Sequence, residues 1–443
     1  MFSTILLAFF FWFQTSPTAQ MPTSESPKTI KFINGNWLNG KDFKPRTFYS
    51  ASGILTERKP TQIDQTVDLK NGFVIPPSAD AHTHNLDGSF NLDKIIKAYL
   101  EEGTFYVQVL GNYATGAKQA KSFLNKPSSL DVIYANGGLT STLGHPFLAY
   151  EPRALGFYNP ADWEANMEKI KLGRKGENNV YWFFDSKADV DAKWEKFLAQ
   201  KPDVVKIFLL DAENYKQNSK NGKAGDKGLS PEVAEYVVQK AHEAGLRVYA
   251  HIETANDFRL GLKIGVDGFA HAPYYGWNGK IEDAPKDDLT VKDIQLAAKK
   301  RVVVIPTIQW GRISTTDYAS DGKETLNRER FRRVVERQRR LFDLMRRNGV
   351  IVALGSDVFG QTLSGEFWYL HDNRIFDNET LLRIAVETTP QTIFPNRKIG
   401  RLREGYEANF LVLENNPLLN FNAIKNIRFR YKRGLLLDFP IQK

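Results

Sequence analysis

The stretch "PPSADAHTHNLDG", Pro76 to Gly88, places His82 and His84 one residue apart at the end of an apolar run. The chain has only seven histidines in 443 residues, so the doublet is conspicuous. On a strand, residues i and i+2 face the same side. His82 and His84 therefore present two imidazoles side by side, a pair suited to zinc or a similar ion.

Working outward, apolar strand-like runs recur at Val74–His84, Thr104–Leu110, Asp131–Asn136, Val204–Leu210, Arg247–Ile252, Val266–His271, Val302–Ile308 and Ile351–Asp357. Helical spacing separates most of them, at Leu92–Glu102, Ala114–Leu124, Pro231–Ala244, Ala255–Ile264, Val291–Lys300 and Glu324–Arg347, with Glu379–Ile393 after the last. Ser230-Pro231 is a helix start, and Gly245 and Gly265 fall where helices stop. Strands alternating with helices in this way predict an α/β fold, a (β/α)8 TIM barrel. The barrel is expected over 76–396, with a long aromatic-rich insertion at about 138–202 that either covers the active-site face or forms a peripheral subdomain or contact surface. Both chain ends read as short strands and turns, including a hairpin in Ile30–Phe43 turning at Asn-Gly or Gly-Asn. A small β-sandwich domain built from 28–75 and 397–440 is expected beside the barrel.

Composition narrows the rest. Apolar content of 42% and charged content of 25% are those of a globular protein and leave no case for bulk disorder or a coiled coil. With no cysteine there are no disulfides and no thiolate ligands or nucleophile, so a metal must be held by His or carboxylate. Ile5–Phe13 is nine apolar residues, too short to span a bilayer and suited to a signal-peptide core. A signal peptide over 1–20, cleaved near Ala19 or Gln20, predicts an exported, periplasmic or secreted bacterial protein with no membrane span after cleavage. Net charge is +9. Its densest basic run, Arg328–Arg347, has Phe331, Val334, Val335, Leu341, Phe342 and Met345 at helical spacing. It reads as an amphipathic helix with a solvated basic face, not a nucleic-acid surface.

Barrel enzymes carry their chemistry at the C-terminal ends of the strands. His82 and His84 end the first run, His251 the fifth, His271 the sixth and Asp357 the eighth, while Lys206 lies inside "VVKIFLL". Asp357 closes the barrel beside the first strand, and His251 and His271 form a second pair. A charged Lys206 would be costly to bury, and burial with nearby cations lowers its pKa. The neutral amine can add carbon dioxide, becoming a carbamate that bridges two metals.

With "ADAHTH", "VVKIF", "YAHIETANDF", "VDGFAHAP", "ALGSD" and "IGRLREGYEANFLVLENNPL", the chain resembles the amidohydrolase superfamily, nearest its imidazolonepropionase-like and Xaa-Pro dipeptidase (prolidase)-like branch. The resemblance implies that His82, His84 and Asp357 bind one divalent ion and His251 and His271 a second, both zinc. Carbamylated Lys206 and a hydroxide would bridge them. Asp357 would pass the hydroxide proton to the leaving amine. It implies cleavage of an amide-type C–N bond in a small molecule, a dipeptide or N-acyl amino acid. His145 in "TLGHPF" matches a loop histidine that would hold the substrate carbonyl oxygen. Tyr274 and Tyr275 are weaker candidates for the same face, and Arg153 and Arg312 for a substrate carboxylate.

The departures are Pro76-Pro77 for the usual Pro-Gly, and Asn409 for an acidic residue. Deaminase-type relatives carry Glu three residues after the fifth-strand His; here that position is Thr254, and Glu253 is expected on the opposite face. A mononuclear deaminase or cyclic-amide hydrolase, a lactonase or phosphotriesterase, and a non-catalytic binding protein stay open as rivals, as does homo-oligomerisation.

Overall fold

A computed structural model describes residues 28–285, 287–318 and 323–437. The expected signal peptide lies outside the described residues. No helix among them is long and apolar enough to cross a membrane.

The fold is mixed α/β. Seven parallel strands form one sheet, in the order Tyr181–Phe183, Gly138–Thr140, Val205–Leu209, Val248–Ile252, Gly268–Phe269, Val303–Val304 and Ile351–Val352. Ser78–Thr83, Thr104–Val109 and Asp131–Tyr134 form a second parallel sheet. Both of its edges are tied to the larger sheet. The Ala81 N–H donates to the Leu354 carbonyl at 2.7 Å, and the Asp203 N–H to that of Tyr134 at 2.8 Å. Thr104–Val109 and Val205–Leu209 are buried along their whole length. Strands covered on both faces read as unbroken apolar runs, which is why they were visible as such.

Several expected elements are cut differently. Val74–His84 is two strands, because Pro76-Pro77 supplies no N–H to a ladder. Phe73–Ile75 pairs antiparallel with Phe410–Leu413, and Ser78–Thr83 belongs to the parallel sheet. The expected insertion contributes two sheet strands, Gly138–Thr140 and Tyr181–Phe183. The helix expected from Glu324 begins at Arg328, with Asn327 as N-cap, because Glu324–Leu326 pairs with Thr316–Tyr318. That helix buries Val334, Val335, Phe342 and Met345, while Arg332, Arg333 and Arg337 pair with carboxylates.

The two chain ends make one eight-stranded sheet in which Phe73–Ile75 lies between Phe410–Leu413 and Ile30–Asn39. Its hairpin turns at Gly40-Lys41, with Gly40 at φ +67°, while Asn34-Gly35 falls in a bulge. Phe32, Trp37, Phe48, Phe410 and Tyr431 pack as its aromatic core, with Trp37 and Phe48 centroids 4.6 Å apart.

A buried charge cluster joins this sheet to the parallel ones. Asp131 meets Lys432 at 2.7 Å, Arg397 at 2.7 Å and Arg433 at 3.0 Å. Burial pushes the Asp131 carboxyl up, but the three cations outweigh it and hold it below 3.8. The stability it contributes is therefore whole above that ordinary value and is lost as acid titrates through the lowered one. Asp131→Asn leaves the fully buried Lys432 uncompensated. Its expected cost is about 3–5 kcal/mol, read as a lower urea midpoint at unchanged slope.

Candidate metal centre

The ends of six strands converge on one cluster. His82 Nε2 and His84 Nε2 lie 3.3 and 3.0 Å from Asp357 Oδ1, and His271 Nδ1 lies 3.6 Å from Asp357 Oδ2. The His251 and His271 ring centroids are 4.5 Å apart, and the His145 ring stacks on His251, also at 4.5 Å. His82, His271 and Asp357 offer ligand atoms all within 4.8 Å of one another.

Each of the four imidazoles expected to bind metal has at least one nitrogen tied to an oxygen, and His84 has both, its Nε2 meeting Asp357. His82 Nδ1 bonds to the Ala270 carbonyl (2.9 Å), His84 Nδ1 to that of Gly111 (2.8 Å) and His271 Nδ1 to Thr307 Oγ1 (2.8 Å). In His251 the order is reversed, with Nε2 3.2 Å from Glu253 Oε1. One nitrogen held by a neighbour fixes ring orientation and leaves the other for a metal.

Electrostatics favour neutral imidazoles. Burial, the leading cause in each case, holds His82 and His271 well below the ordinary histidine range and His251 and His145 at about 3. Lys206 is also buried, which pulls its ammonium down to about 7 against the attraction of Asp357. Burial would raise Asp357, but His82, His84 and Lys206 prevail and hold it at about 2. Lys206 Nζ and His82 Nε2 are buried without a hydrogen-bond partner. Orphaned polar atoms of this kind carry a desolvation cost that a bound group removes. A set of neutral imidazoles, one ionised carboxylate and one deprotonatable amine therefore fits divalent ions.

Supporting residues absent from the sequence reading hold the cluster. Asp80 accepts from the His82 N–H (3.1 Å), from the Ser356 N–H and Oγ (3.1 and 2.7 Å) and from Tyr99 (3.1 Å). It thus locks the His82 strand to the Asp357 segment. Its signal was an acid inside an apolar strand two residues before His82. Asp357 itself adopts φ +48° and Thr307 φ +50°, strained positions clustered at the site. A Cβ on Gly355 would sit 2.7 Å from His82 Cβ and 2.9 Å from its backbone nitrogen. Gly355→Ala is expected to destabilise the fold by about 1–3 kcal/mol and to lower metal retention, both measurable by thermal unfolding and elemental analysis.

Two readings need correction. Glu253 does not turn away: it follows His251 by two residues, so alternation puts both on one face, and its carboxylate meets His251 Nε2. Tyr274 turns toward Arg337 outside the cluster, whereas Tyr275 stacks on His271 at 4.1 Å. Thr254 caps the helix Ala255–Ile264 in a capping box with Asp257, which explains its place in the sequence. Arg153 donates to the Ala149 carbonyl of its own helix. His242 pairs with Asp267 and His371 stacks on Phe421, both apart from the cluster.

No protein-family model matches the chain. The ochratoxinase of Aspergillus niger is 23% identical over 219 residues, 48% of this chain. The match spans 42% of that relative's length. Among solved structures, an amidohydrolase superposes with TM-score 0.67 at 20% identity, covering 94% of this chain and all of the other. A Xaa-Pro dipeptidase gives 0.68 at 16% over 93% and 100%, and the A. niger ochratoxinase 0.69 at 16% over 94% and 97%. The chain has the amidohydrolase fold. Within that fold, the histidines and Asp357 stand together at the strand ends.

Proposed function

We propose that the chain is an exported metal-dependent hydrolase that cleaves an amide-type C–N bond in a small molecule. The observation that carries this reading is the cluster itself: the neutral imidazoles of His82, His145, His251 and His271 and an ionised Asp357 beside a buried Lys206 amine without a hydrogen-bond partner. The similar proteins are hydrolases acting on C–N amide bonds, which agrees with it. In this reading the two parallel sheets close as one (β/α)8 barrel over 76–396, and the terminal sheet folds into a β-sandwich.

His82, His84 and Asp357 would hold one ion and His251 and His271 the other. Lys206, once its neutral nitrogen had added to carbon dioxide and released a proton, would supply a further anionic ligand. When bound, such ions lower the pKa of water and polarise a carbonyl. The chain supplies the rest. Asp357, ionised at neutral pH, takes the proton of the attacking water and delivers it to the departing amine nitrogen. His145 stands over His251 and holds the carbonyl oxygen. Tyr275, Phe208 and Phe359 line the surrounding ring contacts with apolar surface.

Elemental analysis of purified protein is expected to give two ions per chain, and a panel of dipeptides and N-acyl amino acids to give turnover. A single ion with deaminase activity, or activity confined to lactones and aryl esters, overturns the assignment.

A further inference from the structure

We propose that a cavity where the terminal sheet meets the parallel strands binds a small primary amine with an apolar body, anchored on Glu102. The cavity holds about 250 Å³. A cavity of roughly 150 Å³ accommodates benzene, so this one suits a ligand of about ten non-hydrogen atoms. Ser78 and Thr104, which open the strands Ser78–Thr83 and Thr104–Val109, lie in its wall. His82 is near the other end of the first of these strands, roughly 13 Å further along. No proposed metal ligand lines the cavity, so the site is separate from the metal centre and does not depend on how that centre is read.

Most of the wall is apolar. Leu411 and Ile427 come from the terminal sheet, and Phe367 from the helix Ser364–Asp372. Ala385 and Val386 come from a π-helical turn, Ile384–Thr388. Such turns are rare and are frequent at functional sites. Against this surface stands one carboxyl group. Glu102 Oε1 accepts from Thr104 Oγ1 at 3.0 Å, and Oε2 from Thr362 Oγ1 at 2.6 Å. A carboxylate has about four acceptor positions, so these bonds leave room for a further donor. Burial, the leading cause, pushes the Glu102 carboxyl up to about 7, and the like-charged Asp80 adds to it. The other groups that act on it are hydroxyls, with no cation among them. Lys425 also lines the cavity, but it is exposed and lies over the Trp368 ring at 4.0 Å, where water screens its charge. An apolar pocket holding a carboxylate without a counter-charge is matched by a cation on an apolar body. A primary ammonium brings three donors with little bulk, which suits oxygens already flanked by two threonines.

Calorimetry on the full chain tests this with probes of similar shape and different charge: phenethylamine, phenethyl alcohol and hydrocinnamate. The amine is expected to bind about 10-fold or more tighter than the alcohol, and the anion not to bind. Glu102→Gln is expected to reduce the affinity for the amine to that for the alcohol. Ala385→Phe is expected to abolish binding of both by filling the cavity. Urea unfolding checks that each variant folds, and the Glu102→Gln comparison decides the matter if Ala385→Phe does not. Equal affinity of the parent for amine and alcohol, or no saturable binding of the amine, overturns the proposal. So does parental affinity for the amine in Glu102→Gln, the result expected of an amine that seats at the metal centre instead.

Discussion

Replacing Lys206 with methionine is expected to abolish turnover and to stabilise the metal-free protein. The amine lies in a strand whose every residue is buried, and its nitrogen has no hydrogen-bond partner. The Phe208 ring, 5.4 Å away, and the attraction of Asp357 are its compensation for that charge. An unsatisfied buried polar group costs roughly 1–3 kcal/mol, and methionine fills the same volume without it. Chelator-treated Lys206→Met should therefore unfold at higher urea by about that amount. Turnover should fall about 10³-fold or more, because in the proposed reading the ions would supply several kcal/mol of charge stabilisation and Lys206 would help hold them. Bound metal should drop below two per chain. A Lys206→Met protein with parental kcat would remove Lys206 from the chemistry altogether.

Asp357→Asn is expected to cost about 10³- to 10⁴-fold in kcat with little change in folding. Both halves come from the geometry. Asparagine is nearly isosteric and is among the residues that tolerate the left-handed backbone found at Asp357, φ +48°. The Asp357 N–H bond to the His82 carbonyl, 2.8 Å, is also retained. What is lost is the anion between His82 and His84 and the acceptor for the water proton. General base catalysis alone contributes up to about 10⁴-fold. Circular dichroism and urea unfolding serve as the folding control. Activity within tenfold of the parent would sink Asp357 as the proton carrier.

The parallel strands were legible because burial on both faces makes them continuous apolar words, and their polar exceptions make up the proposed site. His82, His84, Lys206, His251, His271 and Asp357 are all polar residues at or near the ends of such runs. The supports were harder to see. Asp80 and Glu253 each lie two residues from a histidine, so strand alternation was sufficient to find them, and Glu253 was misplaced by not applying it. Thr307 and Gly355 had no comparable signal. Their roles depend on contacts made with residues far off in the chain, His271 for one and His82 for the other. The break within one expected strand follows from backbone chemistry, since Pro76-Pro77 ends it; the turn at Asn136-Gly137, both at positive φ, separates Asp131–Tyr134 from Gly138–Thr140, a strand that was expected to be part of the insertion.

The Asp131 cluster also sets an order of events during synthesis. Asp131 leaves the ribosome long before Arg397, Lys432 and Arg433, the groups that make its burial tolerable. Until they arrive, closing the sheet around Asp131 would trap a lone anion, so early closure is opposed by electrostatics. The edge carrying Asp131–Tyr134 is therefore expected to close fully only once Ile427–Lys432 docks, unless Asp131 is protonated. A premature stop after Asp357 would release a polypeptide holding every proposed metal ligand and yet unable to shut.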